Sequence, residues 1–360
     1  MNSENILQEI NELAKKTDGS VRIMEVCGTH TVSIFRNGIR QLLPKNIELV
    51  SGPGCPVCVT DDSYMDKAIA YANTEGAIIA TFGDMLKVPG SSSSLSEEKA
   101  KGADIRVIYS PLDCLNIAKE NPDKKIIFLA VGFETTAPTA AALTLAAKKE
   151  NVSNLFLLSA QKLVPPALNM LLNDDKVKVD GFLLPGHVAV VTGLSPFEFV
   201  AKNYNIPAVV AGFNADEILI SIYLLLKMKL TGDIKIINAY KNVVKDDGNE
   251  TARNTLDTVY EKTDALWRGI GKIPLSGLKM RSSFASFDIE KHLPITTKTT
   301  TKTKSACRCG DILKGIVTPK SCPLFGKNCV PEHAIGPCMV SVEGVCAAYY
   351  KYGGNYFEFS

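Results

Sequence analysis

Apolar positions in this chain follow two alternating rhythms, one of helical period and one of strand period. Ile6, Leu7, Ile10, Leu13 and Ala14 fall on one face at helical spacing over 6–16. Val21, Ile23 and Val26 predict a short strand, and a second helical run passes through Ile34, Phe35, Ile39, Leu42 and Leu43. Ile47, Leu49 and Val50 predict the next strand, after which Asp61, Asp62 or Ser63 can cap a helix holding Met65, Ala68 and Ile69. Further strands are expected at 77–80, 106–109, 126–131, 155–158, 182–184 and 208–210. Between them the pattern predicts helices at 95–101, from Ser110 (cap) and Pro111 (first turn), and at 138–149, 168–172 and 216–228. The last is apolar almost all round, which predicts burial.

Strands and helices that alternate in this way imply an α/β fold with parallel sheets. The unbroken apolar run 126–131 fits a strand covered on both faces. The rhythm divides the chain into two Rossmann-like α/β domains, 1–122 and 123–290, whose sheets would face each other across a cleft. In such sheets ligands sit beyond the carboxyl ends of the strands. There the chain places CGTH at 27–30, GPGCPVC at 52–58, TFGD at 81–84, GFETT at 132–136, PGHV at 185–188 and AGF at 211–213. From 246 to 283 the pattern weakens to one expected helix around 252–266, with Trp267 after it. The string TTKTTTKTK at 296–304 has no apolar residue and reads as a mobile linker or lid. The string lies near the start of a third region, 291–360, whose remainder is short, rich in Pro and Gly, and full of cysteine.

Length and composition narrow the function classes. A chain of 360 residues with 46% hydrophobic content can build two or three cores. Its formal net charge of +2, with acids and bases interspersed, gives no electrostatic reason to expect a nucleic-acid or membrane partner. The N-terminal stretch MNSENILQEINELAKK lacks a charged-then-apolar leader, and no apolar run reaches the roughly 18 residues that span a bilayer. A cytoplasmic location is therefore expected. Ten cysteines are more than packing requires, and in a reducing compartment they point to metal or redox chemistry.

In the Cys55-x-x-Cys58 loop, Gly52, Pro53, Gly54 and Pro56 fix the backbone, which suits an exposed thiol chemistry better than a turn with incidental cysteines. Cys27 and His30 sit on a strand-to-helix turn, where a helix N-terminus favours thiolate. With Cys55 and Cys58 at the next strand end they form a candidate soft metal site; the plain alternative is a capping turn. Six cysteines crowd 307–346 among four prolines, and so short a segment needs a metal staple. Zinc favours paired Cys-x-x-Cys knuckles, which this tail lacks, so a four-iron cluster is the better reading. Cys307, Cys322, Cys329 and Cys346 are its expected ligands. Cys309 and Cys338 would be a spare pair able to exchange electrons or form a disulfide, although they fit the ligand role equally well. Glu134, beside Thr135 and Thr136, can be an acid/base or hold a nucleotide, but without a GxxxxGK[ST] loop any ATP site would be unconventional. Asp84 and His187 read singly as ordinary polar groups at strand ends, Cys114 as core, and His292 and His333 as surface or cluster neighbours.

MEVCGTHT at 24–31, GPGCPVC at 52–58, TFGDMLKVPG at 81–90, GFETTAPT at 132–139, LPGHV at 184–188 and the tail CPLFGKNC…GPCMVSVEGVCAAYYKYG together resemble the HypD family of hydrogenase maturation factors. The resemblance runs in the same order from about residue 20 to the C-terminus. It implies a cytosolic scaffold on which the Fe(CN)2CO group of [NiFe]-hydrogenase is assembled. It also implies the small chaperone HypC as partner and HypE, with HypF, as the source of cyanide. A [4Fe-4S] cluster is implied in the C-terminal region, in a setting similar to that of ferredoxin:thioredoxin reductase. By matching motifs Cys27 would be the main iron-binding thiolate with His30 beside it, and Cys55 and Cys58 the redox-active pair. Val32 stands where many members carry a second histidine, which leaves His30 as the only local imidazole. An iron–sulfur dithiol/disulfide oxidoreductase acting on a protein partner is the second reading, and an interaction protein with a structural metal the third.

Overall fold

The computed structural model describes residues 3–297 and 306–353; residues 298–304 of the expected linker lie outside them. Strands occur where the apolar runs place them: β1 (Val21–Glu25), β2 (Ile47–Ser51), β3 (Ala77–Thr81), β4 (Ile105–Val107), β5 (Lys125–Gly132), β6 (Leu155–Gln161), β7 (Gly181–Pro185) and β8 (Ala208–Ala211). Three more follow, β9 (Ile236–Asn238), β10 (Tyr260–Trp267) and β11 (Gly271–Met280). The fold is α/β with two parallel sheets, as the alternation predicts. One sheet has the order β2-β1-β7-β8-β9 and the other β4-β3-β5-β6.

Strand pairing crosses the expected boundary at 122. The chain starts the five-stranded sheet with β1 and β2, builds all four strands of the second sheet, and then returns to pair β7 with β1, Met24 opposite Phe182. A cut at 122 would separate β3 and β4 from β5 and β6. The strand–helix rhythm is local, whereas parallel pairing is not, so the rhythm carries no information on partners.

Each sheet is buried on both faces. In the first, Ile23, Leu49, Leu183 and Val209 pack under the helices Ser3–Lys15 and Ala215–Thr231. The opposite face, with Met24, Val50, Phe182, Leu184 and Val210, carries the C-terminal cysteine segment. The second sheet buries Ile78, Ile126 and Phe128 on one side and Ile79, Ile127 and Leu129 on the other. Successive residues thus enter different cores, which explains why these strands read as continuous apolar runs. Among the described residues no helix is long and apolar enough to cross a membrane.

Three local expectations are corrected. The helical run through 34–43 is two helices, Gly28–Arg36 and Ile39–Leu42, because Gly38 at φ 63° ends the first. The helix after Pro111 starts later, at Asp113, whose carboxylate accepts the N–H groups of Tyr109 and Ser110 and holds them in a preceding turn. The expected helix 252–266 is helical only over Glu250–Val259; Tyr260 begins an antiparallel hairpin. Along β10 exposed or part-exposed positions separate buried Tyr260 from buried Trp267, and Gly269 and Gly271 supply φ 73° and 109° at the turn. This hairpin bridges to β6 through Lys162 and Gly277, covering the edge of the second sheet.

Trp267 anchors the hairpin: it is 1% exposed, stacks on Phe133 at 5.8 Å, and donates its ring N–H to Ser276 Oγ at 2.8 Å. Trp267→Ala is expected to cost about 3–5 kcal/mol in equilibrium denaturation, with Trp267→Phe losing distinctly less. Equal losses would show that the indole N–H, not ring burial, holds the hairpin.

A candidate thiol centre at the strand ends

β1 and β2 end side by side, and the residues after them meet because Gly54 has no side chain. A Cβ built on Gly54 would lie 2.3 Å from the Cys27 nitrogen. In its absence Gly28 N–H donates to Gly54 O at 3.0 Å. The Cys27 and Cys55 loops are thereby held together, as the sequence led one to expect. Cys27 caps the helix Gly28–Arg36 in an extended conformation. Backbone N–H groups of His30 and Thr29 face its sulfur, yet burial, reinforced by Glu343, pushes the thiol up to about 11. The helix end alone does not make it a thiolate; a bound cation would.

Cys55 and Cys58 form a disulfide, with Cα atoms 5.3 Å apart. His30 is not part of this group. Its ring is fully buried, Nε2 donates to Gly212 O at 2.8 Å, and Nδ1 has no partner. Burial lowers its pKa to about 4, so it stays neutral. The His30 ring stacks on Phe213 at 4.6 Å, and exposed His187 stacks on Phe213 at 4.0 Å. The four residues Cys27, His30, Cys55 and Cys58 are therefore not gathered into one ligand set. Among the described residues no three His, Cys, Asp or Glu side chains converge to hold a single metal ion.

A cavity of about 480 Å³ opens beside Cys27. Its wall takes Cys27, Gly54 and His187 from the segments that follow strands of the first sheet, Asp84, Thr135 and Thr136 from those that follow strands of the second, and Ser341 and Glu343 from the tail. Ser341 donates to Asp84 at 2.9 Å and Thr29 donates to Glu343 at 2.8 Å, so the tail spans both sets of strand ends. Asp84 and His187, read from sequence as ordinary polar groups, line this cavity. Glu343, 14 residues after Cys329 by numbering, carried no signal that it would face Cys27. Glu134 turns into the core: it is 3% exposed, its Oε1 accepts Val164 N–H at 2.9 Å, and Oε2 has no partner.

The tail cysteines collect below the disulfide. Cys322, Cys329, Cys338 and Cys346 share one buried cluster with Cys55 and Cys58, and Cys309 packs against it. Burial raises the Cys338 thiol to about 12 and moves Cys346 strongly upward, and the neighbouring sulfurs reinforce both shifts. Cys307 hydrogen-bonds to Cys309, which raises the first and lowers the second, and the Arg268 guanidinium beside Cys309 adds to its fall. Arg268 comes from the hairpin tip, pairs with Asp62, and its N–H donates to Val59 O at 2.9 Å. Sequence reasoning missed it because it lies just past the expected helix 252–266, where the pattern announces no hairpin turn. Ile335 N–H lies 3.4 Å from Cys329 Sγ, and Cys58 Sγ lies 4.0 Å from Pro337 O, one residue from Cys338. Five tail sulfurs, those of Cys309, Cys322, Cys329, Cys338 and Cys346, thus lie in one region, with a backbone donor near one of them. Cys114, His292 and His333 lie elsewhere, the first fully buried in the second sheet's core and the two histidines exposed.

Glu134 gives a pH signature. Burial lifts its folded-state pKa from the ordinary 4.5 to about 7, so the fold holds this proton more tightly than the unfolded chain does. Stability is lost as pH rises through that window, by roughly 3 kcal/mol at most. Glu134→Gln keeps the acceptor for Val164 and should remove that part of the slope between pH 5 and 8 in urea titrations; parallel slopes would contradict it.

Comparison with known proteins fits this arrangement of motifs. The family described as HypD, hydrogenase formation hypA family, matches residues 2–353. The hydrogenase maturation factor HypD of Rhodobacter capsulatus is 40% identical over 98% of this chain and 96% of its own length. That of Escherichia coli is 40% identical over 97% and 94%, and that of Cupriavidus necator 40% over 92% and 89%. Aligned with these proteins over nearly its full length, the chain belongs to the HypD family of hydrogenase maturation factors.

Proposed function

We propose that this protein is a cytoplasmic scaffold on which iron acquires its cyanide and carbonyl ligands before delivery to a [NiFe]-hydrogenase, in complex with HypC and with HypE and HypF supplying cyanide. The single observation that carries this reading is the cavity beside Cys27. It offers one soft sulfur donor in a largely apolar wall, and Pro56, Val57, Phe82, Val131 and Phe133 limit water around it. The iron with its diatomic ligands is the cargo, and Cys27 is its attachment point. Its thiol is neutral when unloaded, so binding iron releases a proton. Glu343 and His187, both in the wall, are placed to accept it. His30 acts through shape: by donating to Gly212 and stacking on Phe213 it fixes the wall behind the Cys27 helix.

Cys307, Cys322, Cys329 and Cys346 would hold a [4Fe-4S] cluster, with Cys309 and Cys338 as the remaining tail pair. Such a cluster, when bound, would supply single electrons. The chain's own contribution is the Cys55–Cys58 disulfide, which two electrons and two protons convert to a dithiol. A second reading, a thiol/disulfide oxidoreductase acting on a protein partner, is favoured by the seating of that disulfide against Pro337 and the cysteine tail.

Anaerobically purified protein should show infrared bands of metal-bound cyanide and carbonyl, with Mössbauer signals of a separate iron–sulfur cluster. Cys27→Ala should lose the diatomic bands and keep the cluster signal. Retained bands in Cys27→Ala would overturn the attachment point. A cycling disulfide with no such bands in the wild type would favour the oxidoreductase.

A further inference from the structure

Beneath the tail helix Val345–Tyr352 lies a buried ion pair that the chemistry above does not use. Glu25, at the end of β1, is wholly buried, and its Oε1 lies 3.2 Å from Arg40 Nη2. The same oxygen accepts from Ser51 Oγ at 2.5 Å, while Oε2 has no partner. Arg40 also donates to Leu49 O on β2. Its guanidinium carbon lies 4.7 Å from the Phe35 ring and 5.4 Å from the Tyr349 ring, and those rings meet edge-on at 4.5 Å. One cation thus ties the ends of β1 and β2, two residues before Cys27 and four before Cys55, to a tail helix whose Cys346 is three residues before Tyr349.

A buried ion pair is a poor source of stability compared with apolar side chains of the same volume, so its value lies in direction. A helix seated only on apolar contacts can shift along its axis. A planar guanidinium with fixed acceptors on two strands, in contact with an aromatic ring on the helix, cannot follow such a shift without losing partners.

We infer that Arg40, oriented by Glu25, is a positioning residue that fixes the tail helix, and hence the Cys346 thiol, in register with the strand ends carrying Cys27 and Cys55. Its importance for metal chemistry rests on the reading of Cys346 as a cluster ligand; the register itself does not.

The test uses reduced, metal-free full-length protein and follows alkylation of individual cysteines by N-ethylmaleimide with mass spectrometry. In Arg40→Met, Cys346 should label about tenfold faster, as expected when local opening becomes easier by roughly 1.4 kcal/mol. Cys114, in the core of the second sheet, should be unchanged and so reports whether the variant stays folded. Arg40→Lys, with the charge but no planar fork, should fall between wild type and Arg40→Met. Glu25→Gln, which keeps an acceptor, serves if Arg40→Met unfolds, and should also speed Cys346 alone. Unchanged Cys346 labelling in folded variants would overturn the inference. So would equal acceleration of Cys114 in every variant, since the pair would then hold the whole molecule. Iron–sulfur reconstitution of Cys346→Ala is read separately: a normal cluster there would remove the ligand reading and leave the register result standing.

Discussion

The architecture of the thiol centre depends on a backbone-to-backbone approach that only an absent side chain allows. Where Gly54 meets Cys27, the two loops are separated by less than one carbon atom would occupy, and a hydrogen bond between Gly28 and Gly54 closes the contact. Cys27 and the Cys55–Cys58 loop are neighbours for that reason. A Cβ on Gly28 would likewise meet Glu343 at 2.5 Å, which lets the tail reach the same place.

On this contact the rest is layered. The tail lies over one face of the five-stranded sheet, fastened by Thr29 to Glu343 on one side and Ser341 to Asp84 on the other. Its cysteines come to rest beneath the disulfide helix Pro56–Val59, and the hairpin tip wedges Gly269 against Gly310 beside them. Three elements remote in sequence therefore enclose the tail sulfurs, while Cys27 lines the cavity on the other side of the disulfide helix.

The strands and the rule that chemistry gathers after them were legible because both follow from local apolar runs and from a general property of parallel sheets. Partners were not legible: nothing around Met24 announces Phe182. The hairpin at 260–280 was lost because Tyr260–Trp267 also carries apolar residues at helical spacing, and burial decides between the two periods. His30 illustrates a different limit. Its position beside Cys27 suggested a ligand, but imidazole orientation is set by Gly212 and Phe213, almost two hundred residues away. Glu343 and Arg268 were invisible for the same reason, since each acts across a fold whose closure is nonlocal.

The interleaved path of the chain has a consequence for biosynthesis. The four strands of the second sheet are contiguous in sequence and can assemble as they leave the ribosome, whereas β1 and β2 must wait for β7, some 130 residues later by numbering. During that interval the pair presents an open edge and an apolar face with nothing on it, the kind of surface that chaperones capture and that self-associates when they do not. Nascent protein that dwells there is at its most vulnerable just before the first sheet closes, so the yield of folded protein depends on elongation rate and chaperone capacity.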